Sequence, residues 1–232
     1  MMKKIGHGIR WGVLALGLGM LATPAMAIEK GDVLLRVGIT HVRPDDSSSV
    51  ITTAATGPLA GTAAHVGNET QPGINLVYLL TDNVGVELLA ATPFEHGLKV
   101  SGLSRYGFKT THLGSTKQLP PTVSALYYFG PTGARLRPYV GAGLNYTTFF
   151  RESLSREARS ELAARGLSLE DSFGLSVRAG FDWEVNERWL VNASLWNIKI
   201  NTDAHFSSAL GKVSADVDVD PYVTMLSVGY KF

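Results

Sequence analysis

Hydrophobic and polar residues alternate along most of the chain. The clearest case is residues 173–183, where odd positions are apolar, from Phe173 to Trp183, and even positions are small or charged. An alternation with period two predicts a β-strand that has one apolar and one polar face. The same pattern recurs in seven further segments, which are residues 32–42, 74–81, 84–93, 122–130, 139–150, 189–200 and 222–232.

The segments between these eight predicted strands alternate in length. Short turns rich in Gly, Pro, Asn and Asp are predicted at 81–83, 130–133 and 186–188, and long polar loops at 43–72, 95–118, 151–171 and 201–219. Outer-membrane barrels have short turns at one end, long loops at the other and strands of about ten residues. We therefore predict an all-β fold, an eight-stranded antiparallel transmembrane β-barrel with short periplasmic turns and long extracellular loops.

One long loop carries a different period. Leu154, Ala158 and Leu162 recur every four residues among Arg and Glu. This spacing predicts a short surface helix, whose simplest role is to close the barrel mouth.

The first residues differ from the rest of the chain. Basic residues precede an apolar run at 11–22, which is too short to span a membrane, and the small residues Ala25 and Ala27 flank Met26. These features predict a cleavable signal peptide over residues 1–27, followed by a single barrel domain over residues 28–232. The expected location is the outer membrane of a Gram-negative bacterium.

Charge and composition narrow the function. Loss of the three basic residues of the leader would change the formal net charge from +1 to −2, so no basic excess remains for nucleic acid. The chain has no cysteine, and its histidines show no metal-like spacing. No motif places a nucleophile beside a base. We expect no enzyme activity, and no nucleotide, haem or metal cofactor is implied.

Several stretches resemble a known family. They are TDNVGVELLAATPF at 81–94, LPPT at 119–122, RPYVGAGLNYTTFF at 137–150 and the terminal segment from DPY at 220–222 through GYKF at 229–232. Together they resemble the outer membrane protein W family (OmpW/AlkL), which includes alkane-uptake barrels. Leu226, Val228, Tyr230 and Phe232 also resemble an outer-membrane assembly signal, which implies recognition by the barrel-assembly machinery.

The polar faces of the predicted strands should line the lumen. Charges facing lipid near the midplane would cost about 2–4 kcal/mol for Arg or Lys, whereas inside a barrel they can pair. Near the short turns these positions predict a salt-bridged polar floor, with an ion-selectivity filter as the alternative. The residues are Arg36, Glu87, Arg178, Asp182 and Lys231.

Above this floor the same faces become apolar. Leu89, Ala91, Trp196 and Ile198 predict a ligand-binding pocket or gate, and lumen-facing Gly141 and Gly143 should leave room for the indole. The alternative is that Trp196 only fills space or turns toward lipid.

Prolines stand at the upper ends of two neighbouring strands. Pro93 ends one strand, and Pro120 and Pro121 begin the next, so the ladder between them should be weakened. This predicts a lateral exit to the bilayer; alternatively, the prolines only end the strands.

Two functions fit these features. The first is passive uptake of small hydrophobic molecules through a narrow apolar lumen. The second is a structural or interaction barrel whose extracellular loops bind host, phage or colicin partners. Expected partners are outer-membrane lipids and lipopolysaccharide, the assembly machinery and a small hydrophobic substrate.

Overall fold

The computed structural model describes residues 28–232, so the predicted signal peptide at 1–27 lies outside the described residues. The described part contains one short α-helix, α1 (Arg156–Glu161), and a 3-10 turn at Leu103–Tyr106. No helix within it is long and apolar enough to cross a membrane. The strands are β1 (Val33–Arg43), β2 (Ser47–Ser48), β3 (Thr52–Thr53), β4 (Gly57–Pro58), β5 (Ala63–Val66), β6 (Glu69–Leu79), β7 (Val84–Ala91), β8 (Phe94–Ser101), β9 (His112–Leu119), β10 (Thr122–Tyr128), β11 (Leu136–Leu154), β12 (Arg165–Leu169), β13 (Ser172–Glu184), β14 (Trp189–Ile198), β15 (Asn201–Ser208), β16 (Gly211–Asp218) and β17 (Tyr222–Lys231).

Eight of these strands close into an antiparallel barrel, which confirms the predicted fold. Going around the wall, the order is β1, β6, β7, β10, β11, β13, β14 and β17, and β17 pairs with β1. Each barrel strand therefore neighbours the barrel strands before and after it in the chain. A closed ladder satisfies the backbone polar groups of the wall internally, as a bilayer requires.

The outward face of the barrel is apolar. Val37, Ile39, Leu76, Val177 and Leu226 are among the large hydrophobic residues that remain exposed there. This agrees with the register predicted from the alternation. Aromatic residues gather at the end that carries the short turns, hereafter the short-turn end, where Tyr230 contacts both Trp189 and Phe232 edge to face.

The prediction of long polar loops was wrong in part, because these segments form β-sheets and contain buried apolar residues. Beyond the barrel, β5, β8 and β9 form a sheet with the last residues of β11, and β12, β15, β16, β3 and β4 form another, with β2 paired to β16. We call these two sheets and α1 the outer extension. In β16, Val213, Ala215 and Val217 are buried and alternate with exposed residues. The period-two pattern thus continues past the membrane.

The predicted helix in the third loop is confirmed as α1. Ser155 caps it by accepting a hydrogen bond from the Ala158 backbone N at 3.0 Å. Ala158 and Leu162 are buried, and Glu161 Oε2 accepts hydrogen bonds from the backbone N of Lys109 and of Thr110, both at 2.9 Å. The helix therefore packs against the rest of the outer extension rather than standing free on the surface.

Candidate functional site

A layer of buried charges crosses the lumen. We call Arg36, Glu87, Arg178 and Asp182 the charged layer. Arg36 Nη2 lies 2.5 Å from Asp182 Oδ2, and Arg36 Nη1 lies 3.4 Å from Glu87 Oε2. Arg178 also pairs with Glu87. Two cations thus face two carboxylates, and all four side chains are almost completely buried.

Polar side chains surround the charged layer. The Tyr128 hydroxyl accepts a hydrogen bond from Arg36 at 2.6 Å and donates one to Asp182 at 3.1 Å. Asn192 Nδ2 donates to Asp182 Oδ1 and to the Tyr139 hydroxyl, both at 2.8 Å. Buried charges are stable only when they are paired and hydrogen-bonded, and this arrangement supplies both.

Lys231 lies apart from the charged layer. It stands opposite Leu34 in the ladder between β1 and β17, nearer the short-turn end. There it lines a surface depression that Glu29 and Arg188 also line. The structure therefore brings together four of the five residues predicted for the polar floor.

Beneath the charged layer, the lumen is filled by apolar and aromatic side chains. The sequence pattern did not reveal this lower apolar layer, because the strands were predicted only from the apolar residues on their outward faces. Runs that are apolar at consecutive positions, such as Leu34-Leu35 and Val77-Tyr78-Leu79, were the available signal. The members are Ile28, Leu34, Val77, Leu79, Leu126, Tyr128, Tyr139 and Leu190.

Above the charged layer, the predicted apolar residues join one buried cluster. Leu89, Trp196 and Ile198 are buried in it, and half-buried Ala91 packs against it. The guanidinium carbon of Arg178 lies 4.1 Å from the centre of the Trp196 ring, a cation–π distance. Trp196 Nε1 has no hydrogen-bond partner among the described residues. The indole thus separates the charged layer from the apolar cluster.

The glycines near this cluster do a different job from the one predicted. A Cβ at Gly141 would lie 2.6 Å from Leu126 Cδ2 and 3.1 Å from Arg178 Cγ. At Gly143 it would meet the backbone of β10, at 2.2 Å from Val123 O. The nearest atoms belong to these neighbours and not to Trp196, so the glycines accommodate the adjacent strand and the charged layer.

Two small apolar cavities lie farther out, in the outer extension. The inner one has a volume of about 30 Å³ and is lined by His96, Gln118 and Phe149 among others. The outer one has a volume of about 80 Å³ and is lined by Leu59, Leu103 and others. None of the four predicted pocket residues lines either cavity. Both are far smaller than the roughly 300–1,000 Å³ of typical ligand pockets, so a ligand must displace side chains.

The barrel wall is interrupted beside the apolar cluster. The ladder between β7 and β10 ends at Leu89 opposite Thr122, and pairing resumes between β8 and β9 at Phe94 opposite Gln118. Within the described chain, no backbone pair joins residues 90–93 to residues 119–121. We call this interruption the wall gap. It contains all three prolines predicted for the lateral exit, Pro93, Pro120 and Pro121.

Each side of the wall gap is held by its other neighbour. Ala91 pairs with Gly73 of β6, while the Pro121 carbonyl accepts a hydrogen bond from the Tyr146 backbone N at 3.1 Å. Asn145 Nδ2 also donates to the Pro120 carbonyl at 3.3 Å. The two edges are therefore ordered without being joined to each other.

His96 is a buried residue near the wall gap that the sequence analysis did not single out. Its Nδ1 lies 2.6 Å from the Gly67 carbonyl oxygen, which can only accept, so Nδ1 carries the proton. Nε2 then accepts a hydrogen bond from Gln118 Nε2 at 3.0 Å. Burial lowers the pKa of His96, while the Gly67 carbonyl and Glu69 oppose that shift. The imidazole is therefore neutral at pH 7.

Comparison with known proteins gives consistent matches over almost the whole chain. The family model described as the OmpW family matches residues 29–232. The chain is 42% identical over 221 residues to outer membrane protein W of Vibrio cholerae serotype O1, which covers 94% of this chain and 97% of that protein. It is 27% identical over 219 residues to the dibenzothiophene metabolism operon protein PahQ of Pseudomonas aeruginosa, covering 94% and 97%. The crystal structure of the outer membrane protein OprG from Pseudomonas aeruginosa matches with a TM-score of 0.84 and 40% identity, covering 90% of this chain and 99% of that one.

Proposed function

This chain belongs to the OmpW family of Gram-negative outer-membrane barrels, and from that premise we propose that it passes small hydrophobic molecules into the outer membrane. A molecule enters through the outer extension, reaches the apolar cluster around Leu89 and Trp196, and leaves sideways through the wall gap. It does not cross the barrel from end to end.

The observation that carries this proposal is the wall gap beside a buried apolar cluster. Leu89 is the last residue of β7 that pairs with β10, and Ala91, two residues farther along the edge of the gap, packs against the apolar cluster. An apolar molecule at this point needs to separate no backbone hydrogen bonds between the two edges. It would pass from the apolar cluster into lipid without crossing the charged layer.

The charged layer disfavours the straight route. A molecule moving toward the periplasm would have to separate Arg36 from Asp182, and breaking a buried ion pair costs about 3–5 kcal/mol. It would then have to displace the lower apolar layer as well. Sideways movement avoids both barriers.

The relatives support an apolar substrate. PahQ is known as a dibenzothiophene metabolism operon protein, and dibenzothiophene is an apolar aromatic compound. A narrow barrel also suits this class of molecule, since eight strands enclose an interior that side chains nearly fill. A hydrocarbon can displace apolar side chains without leaving polar groups unpaired.

The test is ligand-dependent fluorescence of Trp196. Trp183→Phe and Trp189→Phe leave it as the sole tryptophan of residues 28–232. Medium-chain alkyl compounds are titrated into the barrel in lipid vesicles. We expect a saturable shift that Leu89→Arg abolishes, because an arginine there places an unpaired charge in the apolar cluster.

The matched control is Leu136→Arg, which makes the same change at an exposed residue of the short-turn end. It should leave the saturable shift intact. A shift that never saturates, or one that survives Leu89→Arg in a folded barrel, would contradict the proposal and direct attention to the outer extension as a surface for protein partners.

A further inference from the structure

The first described residue is buried inside the barrel. The side chain of Ile28 has no exposed surface and packs in the lower apolar layer with Leu34, Leu79 and Leu190. The residues after it are fixed as well, since the Gly31 backbone N donates to the Leu79 carbonyl at 2.8 Å, with Gly31 at φ +96°. Ile28 and Gly31 therefore hold the start of the described chain in a fixed position, or seat, at the short-turn end of the barrel.

The backbone of Ile28 is held by two charged side chains. Its N donates a hydrogen bond to Glu184 Oε1 at 3.1 Å, and its carbonyl accepts one from Arg137 Nη1 at 2.6 Å. Arg137 Nη2 also donates to the Asp82 carbonyl at 2.8 Å. A buried carboxylate is thus aimed at the nitrogen of the residue that follows the predicted cleavage motif Ala25-Met26-Ala27.

We propose that cleavage between Ala27 and Ile28 creates an α-ammonium group that pairs with Glu184 and locks the periplasmic end of the barrel. The inference does not depend on the proposed transport function. In the cleavage step, water supplies the hydroxyl oxygen to the Ala27 carbonyl carbon. The peptide C–N bond breaks, Ala27 leaves as a carboxylate, and the Ile28 nitrogen takes up both hydrogens of the water to become the ammonium group.

Cleavage changes the charge on the Ile28 nitrogen, and the carboxylate of Glu184 suits the charged form better than the peptide form. A peptide N–H is neutral and offers one donor, whereas an ammonium group carries a positive charge and offers three. The bond from the peptide N–H to the carboxylate is already charge-assisted, and cleavage adds the attraction between two opposite charges. The α-amino group has an ordinary pKa of about 7.7–8.0, so it is charged at neutral pH. The Ile28 side chain supplies the apolar contact that holds it in register.

Other charged groups share this end of the barrel. Arg137 and Lys231 place positive charge near Glu184, and Asp182 places negative charge near it. Arg137 donates to the carbonyls of Ile28 and Asp82, and Asp182 is paired with Arg36. At the surface, Asp82 and Asp32 accept hydrogen bonds from the backbone N of Lys30 and Glu29. None of these bonds uses the Ile28 nitrogen.

The test compares unfolding rates of exported full-length chains purified from outer membranes, with the N-terminus read by mass spectrometry. Glu184→Gln keeps an oxygen acceptor but removes the charge, and Glu187→Gln makes the same change in the exposed turn before β14. At pH 7 we expect Glu184→Gln to unfold about ten-fold faster than the wild type, from the strength of charged hydrogen bonds. Glu187→Gln should match the wild type.

The pH profile separates this pair from a merely structural role. The carboxylate raises the pKa of the ammonium group in the folded barrel. While Glu184 is ionised, the stabilisation is therefore complete below the ordinary α-amino pKa of about 7.7–8.0 and is lost as pH rises through the folded pKa. The wild type should therefore approach the Glu184→Gln rate by pH 10, and the variant should lack this step.

A threonine inserted between Ala27 and Ile28 moves the ammonium group away from its seat. Once mass spectrometry shows that the extra residue is retained, this chain should unfold like Glu184→Gln, and combining the two changes should add little. A mature N-terminus other than Ile28 would overturn the proposal. So would equal effects of Glu184→Gln and Glu187→Gln, or an unchanged pH profile in Glu184→Gln.

Discussion

Replacing Arg36 with glutamine should test the energetics of the charged layer. Arg36 is completely buried and contacts Asp182, Glu87, Tyr128 and Asn75. The change leaves one cation, Arg178, for two buried carboxylates. Leaving a buried charge without its partner costs about 3–5 kcal/mol, so we expect the free energy of unfolding to fall by that amount.

The second half of this prediction concerns charge balance. Arg36→Gln combined with Asp182→Asn restores a neutral layer, in which Arg178 still faces Glu87. The double variant should therefore be destabilised by less than the sum of the two single variants. For residues in direct contact, a coupling of about 0.5–3 kcal/mol is usual, and we expect the upper part of that range.

Urea-induced unfolding in lipid vesicles, followed by tryptophan fluorescence, measures these free energies. Arg43→Gln is the matched control, because Arg43 lies on the same strand but is exposed, and it should change stability by less than about 0.5 kcal/mol. Additive effects of Arg36→Gln and Asp182→Asn would show that the two side chains are not coupled and would contradict this prediction. So would an Arg36→Gln variant as stable as Arg43→Gln.

Two further predictions follow from close packing and from burial. Gly180→Ala would place a Cβ 2.6 Å from the Tyr139 hydroxyl, and should lower the urea midpoint by an amount equivalent to about 1–3 kcal/mol, whereas Gly133→Ala, which meets nothing within 4 Å, should not. Because the pKa of His96 is lowered in the fold, the unfolded chain binds protons more readily, so acidification from pH 7 to pH 5 should destabilise the outer extension. The protection of β8 and β9 amides against hydrogen exchange, relative to the intrinsic exchange rate at each pH, should then fall in the wild type but not in His96→Asn, and unchanged protection in the wild type would contradict this.

Period-two alternation was sufficient to predict the membrane-facing half of the barrel. Residues such as Val37, Leu76 and Leu226 point outward because lipid accepts only apolar side chains there. The same constraint forced Arg36 and Arg178 inward, where the structure pairs them. These features could be predicted because each depends only on whether a single side chain faces lipid or the lumen.

Features that depend on several strands at once could not be predicted in this way. Ile28 and Leu34 are apolar residues that face the lumen. Alternation predicts apolar residues on the lipid-facing side, so it did not indicate a lumen-facing position for these two. The prolines indicated a weak ladder, but the extent of the wall gap follows from the register on both sides of it. Burial of His96 depends on Gly67 and Gln118, which lie far from each other in sequence.

The most direct test of lateral exit is a disulfide across the wall gap that can be reduced again; we call such a disulfide a staple. The chain has no cysteine, so Ala91→Cys with Pro120→Cys introduces a single possible disulfide, between the two positions that would face each other if the β7–β10 register were extended by two residues beyond Leu89 and Thr122. Val86→Cys with Ala125→Cys is the matched staple, in the part of the wall that is already paired. Uptake of a medium-chain alkyl compound into cells is measured before and after reduction.

If substrates leave through the wall gap, the oxidised gap disulfide should stop uptake, reduction should restore it, and the Val86–Ala125 disulfide should have no effect in either state. Equal uptake through the oxidised and reduced gap staple would contradict lateral exit.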